Sequence, residues 1–247
     1  SRAVYAIDKP YDYLVPADLE DRLRPMMEGA ENPTIAPYAK RAEVTLRVTA
    51  RAKDRDGAFA LINPVIGQVI AQLPDKVYGI DVESLQEQAV KLLTGQKKKA
   101  AVAESCTGGL VSQRITDIPG ASAVFDFGCC TYSNEMKEKI LGVSHETLER
   151  YGAVSRETAL EMARGVRRVA GADFGVATTG VAGPGGGTKE KPVGLVYVAA
   201  VGEAGEQVRE LRLGYGHSDD RETIRFAASS NALDMLIRQL RPGPPQV

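Results

Sequence analysis

The chain has 247 residues, enough for one large domain or two modest ones, each burying its own core. Its formal net charge of -1, with 43% hydrophobic and 26% charged residues, describes an ordinary globular protein and gives no general attraction to nucleic acid or an anionic membrane. No run approaches the roughly 18 consecutive apolar residues of a membrane helix, so no membrane association is expected. The opening stretch SRAVYAIDKPYDYLV has no signal-peptide core. It also has no initiator Met, which reads as a processed or shortened chain.

Composition divides the sequence near residue 95. Ahead of that point LEDRLRPMMEGA reads as helix, and AEVTLRVTAR alternates Val44, Leu46 and Val48 as a half-buried strand does. GAFALINPVIGQVIAQL sets Ala58, Leu61, Ile62, Val65, Ile66 and Val69 on a helical face, with Pro64 starting or kinking that helix. KVYGID reads as a short strand. Helical periodicity returns in DVESLQEQAVKLL through Leu85, Ala89, Leu92 and Leu93, and TGQKKKA then ends the helix as a solvated approach to a new strand.

After that the elements alternate. Strands are predicted at KAAVAE, VFDFGCCTY, FGVATTG, VGLVYVAAV and EQVRELRL. Helices are predicted at GLVSQRIT, NEMKEKIL, RETALEMARGVRRVA and DRETIRFAASSNALDMLIRQL. In the third of these helices Ala159, Met162, Ala163, Val166 and Ala170 form a core-facing stripe, with Ser155 as N-cap. Such alternation predicts a layered α/β domain, helices against a mixed sheet. A loose RPGPPQV tail follows.

Three loops collect small and polar residues at strand ends. The first, Glu104-Ser105-Cys106-Thr107-Gly108-Gly109, lies between a strand and a helix, where glycines admit a ligand and free N–H groups could receive an anion. It matches no standard phosphate loop, and an N-capped helix start explains it equally well. The second comprises Gly120-Ala121-Ser122 and the strand that ends in Tyr132, Ser133 and Asn134, with Lys137 in the following helix turn. A lysine at a helix start opposes the dipole, which would push its pKa down as a base requires, although a solvated surface lysine is the ordinary case. The third loop, TTGVAGPGGGTKEKPVG, opens on Thr178 and Thr179 and carries six glycines, Gly183 and Gly185 among them. It can be neither helix nor central strand, and reads either as a flexible loop or as part of a site.

A serine nucleophile needs a base. His145, at a helix start, and His217, in GYGHSDD, both read as surface residues, which leaves lysine or tyrosine to accept the proton. Cysteine chemistry is the lesser option: Cys106 at a helix start would have a lowered pKa, and Cys129 and Cys130 read as core filler. Three cysteines without a C-x-x-C pair predict a reducing, cytoplasmic setting, and two histidines without ligand spacing predict no zinc.

Several long motifs carry a resemblance. AESCTGGLVSQRITDIPGASAVF, TYSNEMKEKILGV, YGAVSRETALEMA and TTGVAGPGGGTKEKPVGLVYVA, in that order, resemble the carboxy-terminal domain of the CinA (competence/damage-inducible) family, which is similar to the stand-alone nicotinamide-nucleotide amidase of bacteria. The match runs from about residue 84 to 241. SRAVYAI and NPTIAPYAKRAEVTLRVTA resemble the small KH-like domain that precedes it. The resemblance therefore implies a KH-like α/β domain over 1–83 and an amidase domain over 84–247. The family's first domain, similar to molybdopterin-biosynthesis proteins and linked with ADP-ribose pyrophosphatase activity, has no counterpart among these motifs, so neither that domain nor its metal requirement is expected here. The KH-like portion shows no G-x-x-G loop, so nucleic-acid binding is not expected.

The resemblance implies hydrolysis of the carboxamide of nicotinamide mononucleotide to nicotinate mononucleotide and ammonia, with no cofactor, in a dimer or larger homo-oligomer. Carried onto this sequence it favours Ser122 as nucleophile and Lys137 as base. Tyr132, Ser105 and Thr179 join the cluster, and Arg221 supplies a charge for the substrate. Ser105 remains the alternative nucleophile, because its turn is better marked. Thr107, Gly108, Gly109, Asn134, Gly183 and Gly185 are expected to meet the substrate, the first three at its phosphate. Where the family commonly has Gly-Asp-Arg, this chain has Asp219-Asp220-Arg221, which puts substrate affinity in question more than the reaction. The rival readings are a non-catalytic nucleotide-binding or assembly module, another small-molecule amidase, and a phosphate-transfer enzyme.

Overall fold

A computed structural model describes residues 1–7, 17–213 and 221–247 of the chain. His217, Asp219 and Asp220 lie outside the described residues. The chain falls into two compact units, Ser1–Leu85 with Gly243–Val247, and Gln86–Pro242.

The first unit is built on a four-stranded antiparallel sheet in the order β2-β3-β1-β4, from β1 (Arg2–Ile7), β2 (Thr34–Lys40), β3 (Glu43–Thr49) and β4 (Val77–Ile80). Val4, Val44, Leu46 and Val48 share one core with Leu19 and Leu23 of α1 (Ala17–Met27) and with Ile62, Ile66 and Val69 of α2 (Arg55–Gln72). Alternation in AEVTLRVTAR thus marks a real strand, whereas β1 and β2 were missed as separate strands. β2 carries Pro37, which its position at the sheet edge tolerates. α2 starts well before Pro64, because Asp54 caps it by accepting from the Gly57 N–H at 2.7 Å. Its buried face is centred on Ile62, Ile66, Val69 and Ile70, and Leu61 is 39% exposed.

The second unit opens with α3 (Leu85–Gln96) and holds a five-stranded mixed sheet in the order β6-β5-β7-β8-β9. β5 (Ala100–Glu104) runs parallel to β6 (Phe125–Cys130) and to β7 (Phe174–Gly180). The remaining two, β8 (Leu195–Gly202) and β9 (Gly205–Arg212), continue antiparallel. On one face of the sheet α7 (Arg156–Ala170) packs Ala159, Met162, Ala163 and Val166 onto Ala101, Ala103, Ala177 and Ala199, beside α5 (Asn134–Leu141) and α6 (His145–Tyr151). On the other face lie α4 (Leu110–Thr116) and α8 (Arg221–Leu240). The helix start expected at His145 is that of α6, whose extent periodicity did not give, being only seven residues long between two caps, Ser144 and Gly152.

α7 shows why its sequence is helical. Ser155 accepts from the Thr158 N–H at 3.1 Å, Glu157 sits in the first turn, and Gly171 closes the end at a positive φ of 61°. Gly175 on β7 lets this helix approach, since a Cβ there would collide with the Ala163 carbonyl. Parallel β5, β6 and β7 gather the loops at their carboxyl ends, the place where open α/β sheets present their chemistry.

Candidate active site

Alternation along β5 sorts two neighbouring polar residues to opposite faces. Glu104 follows Ala100 and Val102 toward α4 and α8. Ser105 follows Ala101 and Ala103 toward α5, its N–H extending the ladder to the Thr178 carbonyl at 3.0 Å. The adjacent side chains therefore enter two different networks.

Glu104 is fully buried and receives five hydrogen bonds. Thr107 Oγ1 (2.6 Å), Gly109 N (3.1 Å) and Val111 N (3.0 Å) donate to one carboxylate oxygen, and Ser112 N (2.9 Å) and Ser112 Oγ (2.8 Å) to the other. Thr107 Oγ1 also lies 2.7 Å from Thr178 Oγ1. This corrects the expectation that the Thr107-Gly108-Gly109 helix start receives a substrate phosphate. The Gly109, Val111 and Ser112 amides at the start of α4 already hold an internal anion, which also answers the helix dipole.

On the other face Lys137 projects from the first turn of α5, whose cap Ser133 accepts from the Met136 N–H at 3.2 Å. Its side chain is completely buried, and its Nζ meets three oxygens: the Thr131 carbonyl at 2.8 Å, the Tyr132 carbonyl at 3.3 Å and Ser105 Oγ at 3.3 Å. No carboxylate among the described residues pairs with it. Burial pushes its pKa below the ordinary lysine value, opposed by the Cys106 thiol.

Tyr132 is 60% exposed, its hydroxyl accepting from Arg221 Nη2 at 3.1 Å, while Arg221 Nη1 donates to the Gly183 carbonyl at 2.7 Å. Arg221 thus joins the second loop to the third. One turn further along α8, Arg225 donates to the carbonyls of Cys106 (3.2 Å) and Thr107 (2.8 Å), so the same helix also holds the first loop. The sequence reading missed Arg225 and Glu104. The i, i+4 spacing of Arg221 and Arg225 was the available signal for the former.

Other expected residues stand elsewhere. Ser122 is exposed on a one-turn 3₁₀ helix (Ala121–Ala123) ahead of β6, whereas Lys137 follows the far end of that strand. Six residues at about 3.3 Å each put roughly 20 Å between those ends, so within one chain Ser122 and Lys137 are not brought together. Thr179 is buried and donates its hydroxyl proton to the Ala153 carbonyl at 2.7 Å, so that hydroxyl is not free to bind an oxyanion. Asn134 is exposed on the first turn of α5, and Gly185 is exposed in the third loop. Cys106 is buried, and burial raises its thiol pKa to about 12, the reverse of the lowering expected at a helix start. Cys130 is exposed, not core filler. His145 is a surface residue beside Glu138 and Glu149. Among the described residues no group of three or more His, Cys, Asp or Glu side chains is gathered to hold a metal ion, and no helix is long and apolar enough to cross a membrane.

Comparison with known proteins places both units. Residues 82–240 match the family described as CinA C-terminal domain, and residues 17–79 match the one described as damage-inducible protein CinA KH domain. A CinA-like protein of Desulfovibrio desulfuricans is 52% identical over 219 residues, 89% of this chain and 51% of that protein. The chain spans about half the length of the curated relatives it matches. Among solved structures, the competence/damage inducible protein CihA from Agrobacterium tumefaciens superposes with a TM-score of 0.60 at 46% identity, covering 63% of this chain and 93% of that one. A CinA superfamily protein from Klebsiella pneumoniae superposes with a TM-score of 0.59 at 32% identity, covering 63% and 95%.

Proposed function

The chain belongs to the CinA family, and on that premise we propose that its second unit is an amidohydrolase that converts nicotinamide mononucleotide to nicotinate mononucleotide and ammonia. The observation that carries this reading is the set of partners around Lys137 Nζ. A neutral amine has two N–H donors and one lone pair. Lys137 faces two carbonyl acceptors, Thr131 and Tyr132, and one hydroxyl, Ser105. With the carbonyls taking both N–H groups, the lone pair is left for the Ser105 O–H, the arrangement a general base needs.

The chemistry follows from that pair. Ser105 Oγ attacks the carboxamide carbon as its proton passes to Lys137. The C–N bond of the tetrahedral intermediate then breaks, and Lys137 returns the proton to the departing nitrogen, which leaves as ammonia. Water next attacks the acyl ester and gives a proton to Lys137, which passes it to Ser105 Oγ as the acid departs. These steps use no cofactor. For the substrate's phosphate, with the α4 amides taken by Glu104, Arg221 is a cation in place, since among the described residues two of its five N–H donors are committed, to Gly183 and Tyr132. The exposed Tyr132 ring stands beside it, with an apolar face for the pyridine or ribose.

Ammonia release from nicotinamide mononucleotide by the full chain tests the proposal, with free nicotinamide as comparison. Turnover of the nucleotide that disappears in a folded Lys137→Met protein supports it. A folded wild type that binds the nucleotide without releasing ammonia would replace it with the reading of a nucleotide-binding module.

A further inference from the structure

The turn that carries Ser105 leaves two backbone donors without an acceptor on another described residue, the Cys106 N–H meeting only its own thiol. Its Gly108 N–H closes back on the Ser105 carbonyl at 3.0 Å, the Gly109 N–H goes to Glu104, and the Leu110 N–H to the Thr107 carbonyl at 3.2 Å. The N–H groups of Cys106 and Thr107 have no acceptor on any other described residue, although both residues are buried. Unpaired buried amides are uncommon and call for an explanation. These two immediately follow Ser105.

Arg225 bears on their direction. It reaches across from α8 and donates to the Cys106 and Thr107 carbonyls, one from Nε and one from Nη2. In a planar trans peptide the C=O and N–H point opposite ways, so fixing the Cys106 carbonyl toward Arg225 fixes the Thr107 N–H away from it. A cation bonded to the carbonyl also polarises the amide and strengthens it as a donor. Gly108 belongs to the same device. Its φ of +58° suits glycine, and a Cβ there would come within 3.2 Å of Arg225 Nη2.

We infer that Arg225 is a positioning residue. It holds the Ser105–Gly108 turn so that the free Cys106 and Thr107 amides stand ready for the oxygen that becomes negative when Ser105 attacks. This assigns the oxyanion-binding role to backbone donors set by a side chain outside the reacting pair, and takes it from Thr179, whose proton is spent on Ala153. The inference rests on the amidase reading of the same site.

The test uses the full chain and two readouts. In steady-state ammonia release, Arg225→Ala lowers kcat on the order of 10²-fold, the scale of one lost oxyanion donor, with KM changed less than about threefold. Arg225→Lys, which can reach one carbonyl but not both, falls between. Added guanidinium ion at concentrations well below unfolding restores part of the Arg225→Ala rate. Independently of activity, the Gly108 amide, which closes the turn, exchanges with deuterium about tenfold faster in Arg225→Ala than in wild type at equal global stability. An unchanged exchange rate overturns the positioning role. So does a folded Arg225→Ala protein with wild-type kcat, or one in which only KM moves. If wild type releases no ammonia yet the Gly108 amide loosens in Arg225→Ala, the turn assignment stands and the amidase reading falls.

Discussion

Lys137 Nζ stands 3.3 Å from Ser105 Oγ with both side chains nearly closed off from solvent, at 0% and 9% exposure. A buried lysine without a carboxylate partner is costly to protonate, and that cost makes it a base.

The sign of the pH dependence follows. Lys137 must be neutral to accept the Ser105 proton, and burial holds its pKa below 10.5. Ammonia release should therefore fall as pH is lowered through that depressed value, and the acid limb of kcat/KM should lie below 10.5. Stability moves the same way. Between the folded pKa and 10.5 the unfolded chain binds a proton that the folded chain does not, so this group's contribution to stability rises with pH across that window. In Lys137→Met that slope should vanish from denaturant titrations run below pH 10.5. A slope unchanged by the substitution would show that Lys137 is charged in the folded protein.

The two serines separate cleanly. Ser105→Ala should lower kcat by at least about 10³-fold without unfolding the chain, while Ser122→Ala, at the far end of β6, should leave kcat within about twofold. If Ser122→Ala is the dead variant and remains folded, the reacting hydroxyl must come from a second copy of the chain, because one chain sets Ser122 and Lys137 beyond opposite ends of β6.

Glu104 offers a test of the scaffold. Glu104→Gln places amide hydrogens against backbone N–H donors and removes a charge that accepts five hydrogen bonds. A loss of about 2–3 kcal/mol is expected, at roughly 2–4 °C per kcal/mol for a unit of this size. A melting temperature within 1 °C of wild type would mean that the carboxylate is not what holds the start of α4.

Thiol labelling distinguishes the cysteines. With its pKa raised to about 12 and its side chain buried, Cys106 should resist iodoacetamide in the folded protein at pH 8, while Cys130 should take the label slowly. Peptide mapping of the alkylated protein reads both, and rapid labelling of Cys106 would contradict its burial.

Arg221→Ala removes both the tie between Tyr132 and Gly183 and the cation nearest the exposed ring. KM for the nucleotide should rise about tenfold or more, with a smaller change for free nicotinamide, which has no phosphate. Equal effects on the two substrates would move Arg221 from phosphate recognition to loop support alone.

Much of this protein is written in short-range patterns. Alternating Val44, Leu46 and Val48, the Ser155 cap with its Ala159–Val166 stripe, and the strand–helix alternation after residue 95 each reflect local geometry, in which a period of two or 3.6 and a capping hydroxyl decide the element. The loops at strand ends were legible for the same reason, since glycine and proline exclude regular structure there. β1, β2 and the extent of the short α6 beyond its start at His145 were not, because an edge strand containing proline and a seven-residue helix depend on neighbours more than on their own period. What chemistry the loops can do was decided only in three dimensions. Glu104 and Ser105 are adjacent in sequence, yet the pleat sends one into the α4 helix start and the other to Lys137. The same folding buries Cys106 until its thiol is inert, turns the Thr179 hydroxyl to Ala153, and leaves Ser122 a strand's length away. Burial, direction and distance are properties of packing between elements far apart in the chain, and no local pattern encodes them.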